Sequence, residues 1–378
     1  MRIENGLVYR EDGAFHEETV RIRGPRFAAF CDDMDRLDAS GCYVLPGLLD
    51  MHLHGAHGAE FSDGSPSSLT ELAQYEAAHG VTSIVPTTMT LPRTRLEKIA
   101  DSMAPFQPTE RSANVLGMRL EGPFLSAEKC GSQETSCLCL PDASLVRELQ
   151  ERSGNQVAVV DLAPELPGAI DFIDEVKPVR VSIAHTAADY NTARTAIRHG
   201  ASHLTHMYNA MAPFAHRAPG PIGAASDEPG CTVELIADGV HNHPSMVRNA
   251  FRIFGADRIC LISDSMRATG MPDGTYEFGS HEVRVEGKRA LLKDGTIAAS
   301  VTNLYDCMVT CIRDMHIPVE QAVRCASLNP ARYLGVSDRV GSIALGKQAD
   351  LILVDRYSLA LRGVLLRGEV LWTDGISG

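Results

Sequence analysis

The chain has 378 residues, of which 44% are hydrophobic and 22% charged, the balance of a soluble globular protein rather than a disordered one. That length exceeds the usual limit of one hydrophobic core, so a large domain plus a smaller one is expected. A net charge of -13 with no long Lys/Arg run argues against nucleic acid as a partner, while leaving room for a small anion held by one or two local cations. The first residues, Met-Arg-Ile-Glu-Asn-Gly, carry no apolar signal core, and no run approaches the roughly 18 apolar residues of a membrane span. A cytoplasmic location and no membrane association are therefore the expectation. Ten cysteines without a CxxC pair suit reduced, mostly buried thiols. The nearest pairs, Cys137 with Cys139 and Cys307 with Cys311, receive no metal or redox role.

Residues 1 to about 44 read as short strands separated by Asp-Gly and Arg-Gly-Pro turns, with strand-like runs at Leu7-Val-Tyr, Thr19-Val-Arg-Ile and Arg26-Phe-Ala-Ala-Phe. The C-terminal stretch has the same texture at Gly341-Ser-Ile-Ala-Leu-Gly, Ala349–Val354 and Gly368–Trp372. Neither end can bury a core alone, so residues 1–44 and 341–378 are expected to pair into one small β-sandwich domain. Residues 45–340 then form the second domain.

Within it, apolar or β-branched runs recur at Pro46–His54, Val81–Thr87, Asn114–Glu121, Val157–Leu162, Val179–His185, Ala201–His206, Thr232–Ala237 and Arg258–Asp264, and read as buried parallel strands. Helical patterns lie between them at Ser68–His79, Thr94–Met103, Ala143–Arg152, Ile170–Glu175, Asn191–His199 and Ser245–Phe254. Eight such units predict an α/β fold, a (β/α)8 TIM barrel, with an inserted hairpin at Phe278–Lys293 and later helices at Thr302–Met315 and Val319–Cys325.

A barrel of this kind carries its active site at the C-terminal strand ends, so the polar residue closing each run is the informative one. Those residues are His52 and His54 on the first strand, Glu121 on the third, His185 on the fifth, His206 on the sixth and Asp264 on the eighth. His52 and His54, two residues apart, share one face of a strand. Each of these groups alone could be an ordinary hydrogen-bonded structural residue. Gathering all of them at one mouth is costly unless something compensates them, and one or two divalent metal ions would do so. Nitrogen and carboxylate donors suit Zn, Fe(II), Mn or Co without choosing among them. The chemistry implied is metal-activated water with a nearby carboxylate managing the proton, a role that suits Asp264. His203 and His243 are assigned to structure.

The chain carries in order Pro46-Gly-Leu-Leu-Asp-Met-His-Leu-His-Gly55, Leu120-Glu-Gly-Pro-Phe124, Ala184-His-Thr186, Thr205-His-Met-Tyr-Asn-Ala-Met211, His216-Arg-Ala-Pro-Gly220, Ala237-Asp-Gly-Val-His241 and Ser263-Asp264. In these motifs it resembles the N-acetylglucosamine-6-phosphate deacetylases of the amidohydrolase superfamily. The resemblance runs from about Leu45 to Leu353. It implies that Glu121, His185 and His206 bind a first metal, that His52 and His54 permit a second, and that Asp264 is the catalytic acid/base. It implies substrate contacts at Ser132, Gln133, Asn209, Ala210, Arg217, His241, Ile297, Ala298 and Ala299. Arg217 and His241 would serve a sugar phosphate, with Arg217 reaching a neighbouring subunit's site, since such proteins are commonly homodimers.

The implied activity is deacetylation of N-acetyl-D-glucosamine 6-phosphate, with the galactosamine epimer or another N-acyl compound as the alternative. A metal-free binding protein on the same barrel is the non-enzymatic alternative. Three departures stand out: Arg119 where the family commonly has His before Leu-Glu-Gly-Pro, Ser265 after the acid/base, and Ala298-Ala299 where an Ala-Gly turn is usual.

Overall fold

The computed structural model describes residues 1–31 and 35–376; residues 32–34 and 377–378, which fall in the expected terminal domain, lie outside the described residues. Eight parallel strands form the barrel: β1 (Leu48–Leu53), β2 (Val81–Thr88), β3 (Met118–Leu120), β4 (Val157–Leu162), β5 (Arg180–Ile183), β6 (His203–Leu204), β7 (Thr232–Ile236) and β8 (Ile259–Ile262). Each pairs with its successor from β1 to β8. Every residue of β1 and β2 is buried, as strands covered on both faces must be. Closure between β8 and β1 rests on single bonds. The Asp264 N–H donates to the His52 carbonyl at 3.0 Å, the His54 N–H to the Ser265 carbonyl at 2.8 Å, and the Ser263 N–H to the Asp50 carboxylate at 3.3 Å.

The helices expected between strands are α1 (Pro66–Ala78), α2 (Arg93–Met103), α3 (Ala143–Arg152), α4 (Ala169–Glu175), α5 (Tyr190–His199) and, after β7, Pro244–Phe254. Ser65, Asp142 and Asp189 cap α1, α3 and α5 by accepting from first-turn N–H groups, the residue types such ends favour. One helix, Gly220–Asp227, was not expected, because Gly-Pro-Ile-Gly reads as a loop. Pro221 falls in its first turn, where the missing N–H costs nothing.

Three strands end earlier than their sequence runs. β5, β6 and β8 stop at Ile183, Leu204 and Ile262, and His185, His206 and Asp264 beyond them adopt φ of 42°, 26° and 52°. Left-handed backbone cannot continue a ladder, so these side chains leave the pleat. The inserted hairpin is larger than expected: Gly274–Phe278, His281–Glu286, Arg289–Leu291 and Ile297–Ala299 form a four-stranded antiparallel sheet.

Both termini build two packed sheets. One holds Arg2–Glu4, Val20–Arg23, Arg26–Phe27 and Arg36–Asp38; the other holds Leu7–Tyr9, Phe15–Glu17, Cys42–Pro46, Leu351–Asp355, Leu361–Leu366 and Glu369–Thr373. Residues 341–346 contribute no strand, although Ile343 is buried among the sheets. The six-stranded sheet is buried on both faces by alternation. Val44, Leu351, Leu353 and Leu365 meet Ile3, Val20 and Ile22 of the smaller sheet, while Leu45, Ile352, Val354, Val364 and Leu366 join the barrel core. Trp372 ties this sheet to α1 by donating from Nε1 to the Ala78 carbonyl at 3.0 Å. No helix among the described residues is long and apolar enough to cross a membrane.

Leu353→Ala removes a fully buried side chain from the sandwich core, with an expected loss of about 2–5 kcal/mol. Urea unfolding followed through Trp372, the single tryptophan, measures it; an unchanged midpoint would contradict the packing described.

Candidate metal centre and active-site cavity

Each residue at the mouth owes its position to a strand end. His52 and His54 close β1, Glu121 follows β3, and His185, His206 and Asp264 sit just past β5, β6 and β8. Glu121 is the common partner. Its Oε1 lies 3.1 Å from Nε2 of both His185 and His206 and 3.4 Å from Nε2 of His52, while Oε2 lies 3.3 Å from Nε2 of His54. Asp264 Oδ1 is 3.3 Å from His54 Nε2 and 3.6 Å from His52 Nε2. The donor atoms of His52, His54 and Glu121 all lie within 4.8 Å of one another, and so do those of Glu121, His185 and His206. Gly122 permits the turn after Glu121: it has φ of 91°, and a Cβ there would stand 2.0 Å from Thr90 Oγ1.

The chemistry of this donor set fits a cation. His54 Nδ1 lies 3.1 Å from the Thr87 carbonyl and His185 Nδ1 lies 2.9 Å from the Lys129 carbonyl, so both Nδ1 atoms must carry hydrogen and donate. In the neutral rings each Nε2 then holds a lone pair, and each points at a carboxylate or another imidazole. His185 and His206 bring their Nε2 atoms within 3.1 Å of each other, and His52 Nε2 is buried with no hydrogen-bond partner. Lone pairs converging on oxygens call for a positive charge between them. Titration tendencies say the same. Burial opposes charge on His52 and His54, but Glu121 with Glu234 lifts His52 well above its ordinary value, and Asp264 with Glu121 lifts His54 to about 9. Burial likewise favours neutral Glu121 and Asp264, yet the surrounding imidazoles hold both below the carboxylate range.

A cavity of about 360 Å³ opens on this cluster. Of the residues expected to touch substrate, Ser132, Gln133, Asn209, Ala210, His241, Ile297 and Ala298 line it. Ala299 is buried beside it without lining it. Gln133 is already engaged: its amide nitrogen donates to Glu121 Oε2 and its oxygen accepts from the Thr90 N–H at 2.7 Å. Ser132 Oγ donates to the Ala298 carbonyl at 2.9 Å, joining two of the expected contact segments. His241 is held by Asp238 at 2.8 Å, whose charge lifts the imidazole above its usual value against burial.

Arg217 is not brought to this cavity. It is exposed beside His216 and lines a separate hollow of about 520 Å³ with Tyr190 and Pro219. Lys129 is the only Lys or Arg lining the first cavity among the described residues, and the sequence reading missed it, as it missed Phe278, whose ring stands 5.2 Å from that of His54. His203 stacks on Tyr333 at 4.1 Å and His243 accepts from the Ser245 N–H at the start of the helix Pro244–Phe254.

A (β/α)8 barrel with two imidazole–carboxylate triads at its C-terminal mouth defines a metal-dependent hydrolase of the amidohydrolase type. Residues 43–371 match the amidohydrolase family. The N-acetylglucosamine-6-phosphate deacetylase of Bacillus subtilis is 37% identical, over 93% of this chain and 89% of its own. An N-acetylgalactosamine-6-phosphate deacetylase of Escherichia coli O157:H7 is 34% identical, over 86% of this chain and 87% of its own. The structure of a mutant N-acetyl-D-glucosamine-6-phosphate deacetylase from Mycobacterium smegmatis, in complex with N-acetyl-D-glucosamine-6-phosphate, superposes with a TM-score of 0.92 at 31% identity, covering 99% of both chains. The chain belongs to the N-acetylglucosamine-6-phosphate deacetylase family of the amidohydrolases.

Exhaustive chelation should remove a counter-charge that only the folded mouth binds. With metal restored at a hundred times its Kd, the gain is about 2.7 kcal/mol per ion, read as a rise in melting temperature. Identical melting curves with and without chelator would argue against an ion in this cluster.

Proposed function

We propose that the chain is a metal-dependent deacetylase that hydrolyses the acetamide of N-acetyl-D-glucosamine 6-phosphate to D-glucosamine 6-phosphate and acetate. The observation carrying this reading is the sharing of Glu121 between the His185/His206 pair and the His52/His54 pair, with Asp264 beside them. Glu121, His185 and His206 would hold the first divalent ion, and His52 and His54 would admit a second. Zinc is the first choice for a set of nitrogen and oxygen donors, with Fe, Mn or Co as alternatives. When bound, the ion supplies Lewis acidity, lowering the pKa of water and polarising a carbonyl.

The chain's own residues do the rest. Asp264 takes the proton of the attacking water, the oxygen adds to the amide carbon, and the C–N bond breaks as Asp264 returns the proton to the departing nitrogen. Gln133 keeps Glu121 oriented, and His241, with Asn209, Ala210, Ser132 and the Ile297–Ala299 segment, holds the sugar. Lys129 provides the charge for the phosphate within the cavity. Arg217 provides it from the neighbouring subunit of a homodimer, a role supported by its exposure away from its own chain's cavity. A cytoplasmic setting agrees with ten free cysteines, most of them buried.

The galactosamine epimer is the second reading. It is motivated by the Escherichia coli relative, and the Ala298-Ala299 departure leaves the choice of sugar open. Acetate release from the two sugar phosphates, assayed in parallel, decides; release from neither overturns both. Asp264→Asn should keep metal content and KM while kcat falls roughly 10²–10⁴-fold, and near wild-type turnover would remove Asp264 from its role. Lys129→Met should raise KM about ten- to a hundred-fold for the phosphorylated sugar and leave the unphosphorylated one unaffected. Equal effects on both sugars would count against a phosphate contact.

A further inference from the structure

Behind the cavity lies a second polar layer that the hydrolysis does not use. Arg119, fully buried on β3, donates from Nε and Nη2 to the two oxygens of Asp161 on β4 at 2.9 and 2.8 Å. Nη2 also reaches Thr205 Oγ1 at 2.8 Å, and Nη1 pairs with Glu234 Oε1 across the barrel on β7. His203 approaches the same Oε1 at 3.2 Å. The other oxygen of Glu234 faces the metal centre. Oε2 lies 3.0 Å from His52 Nδ1 and accepts from the backbone N–H of His206 at 3.0 Å.

One carboxylate therefore holds the ring of a residue from the His52/His54 pair and the peptide of a residue from the His185/His206 pair. A carboxylate on Nδ1 fixes Nε2 as the donor atom and makes it a stronger ligand. If Glu234 served only to neutralise Arg119, Oε1 alone would suffice, and Oε2 would have no reason to point at His52. The guanidinium is suited to the task because its fork bridges Asp161 and Glu234 with a permanent charge, which one imidazole cannot do. Arg119 at this position thus has a counterpart in Glu234.

We propose that Glu234 is a positioning residue of the metal centre, clamped by Arg119, and that it sets the affinity of the ion held by His52 and His54. This rests on the two-ion reading above.

The test is metal affinity rather than turnover. Glu234→Gln leaves Arg119 and Asp161 as a balanced pair and retains the shape, but it removes the charge, and its single oxygen can accept from His52 Nδ1 or from Arg119 Nη1 and not from both. Competition with a chromophoric chelator resolves the binding steps of wild type, and the step abolished in His54→Ala identifies the ion in question. In Glu234→Gln that step should weaken roughly 10–100-fold while the other stays within about threefold, with a matching change in the visible absorption of the cobalt-loaded protein. Melting in excess chelator shows that the fold is intact. Should Glu234→Gln not fold, Glu234→Asp preserves the charge opposite Arg119 but withdraws the oxygen from His52, and the same loss is expected. A wild-type chain binding a single ion, or a folded variant with both affinities unchanged, overturns the proposal. Absence of any bound metal in wild type overturns the two-ion reading itself, and this inference with it.

Discussion

The Glu121 carboxylate is the group on which the barrel mouth is built. Four imidazoles from three strand ends approach it within 3.4 Å, and burying it without them would cost several kcal/mol. As neutral rings, three of these imidazoles cannot donate to it from Nε2. His54 and His185 spend their Nδ1 hydrogens on the Thr87 and Lys129 carbonyls, and His52 spends its own on Glu234. The backbone is fitted to this convergence as well. Left-handed φ at His185, His206 and Asp264 costs of order 1–3 kcal/mol each, and the surrounding bonds hold it in place. The Ser300 N–H on the Asp264 carbonyl at 2.8 Å and the Ser126 N–H on the His185 carbonyl at 3.0 Å are examples.

Below this shell the barrel departs from the usual filling of branched apolar side chains. Arg119, Asp161, Ser182, His203, Thr205 and Glu234 are all buried, and they satisfy one another in a closed network. Breaking one partner of such a set leaves an uncompensated interior charge, so the layer is rigid in a way that apolar packing is not. Its position matters: it stands directly behind His52 and the His206 peptide. That rigidity is passed to the residues that would hold an ion.

Much of this was legible in the sequence because two periodicities were strong. Continuous apolar runs alternating with amphipathic helices marked the barrel, and polar residues terminating those runs marked its mouth. The strand lengths were overestimated at β5, β6 and β8 because no Gly or Pro interrupts those runs before His185, His206 and Asp264, while the turn is imposed by tertiary bonds that no local propensity encodes. The helix Gly220–Asp227 was hidden by Gly and Pro that belong to its first turn. Glu234 carried a usable signal: a carboxylate within the apolar run Thr232–Ile236 needs a buried partner, and Arg119, two residues before Glu121 and on the same face, was the candidate. Lys129 carried none, since a lysine in a loop reads as solvated surface until the cavity is seen.

Recognition and chemistry are mechanically joined. Ser132 holds the Ala298 carbonyl, the next strand residue Ala299 leads into Ser300, and Ser300 donates its N–H to the Asp264 carbonyl. Ser265, the residue after Asp264, donates from Oγ to the Gly55 carbonyl at 2.9 Å, so the β1 turn belongs to the same chain of bonds. Residues 297–299 are thereby tied to the backbone that carries Asp264, so in the proposed reaction a sugar seated against them presses on the carboxylate that moves the proton. Alanine at 298, the one of the pair that lines the cavity, presents only a methyl group and main-chain atoms there, so under the proposed function this edge discriminates by shape, whereas a site built to hydrogen-bond one particular hydroxyl would reject its epimer far more strongly. In the function proposed above, the phosphate charge is met by other elements, Lys129 at the end of the short helical turn Ala127–Lys129 and Arg217 on the loop after β6. On that reading the separation lets the phosphate anchor a substrate while the hydroxyl-facing edge tolerates variation, and stereochemical selectivity resides in the inserted sheet rather than in the barrel.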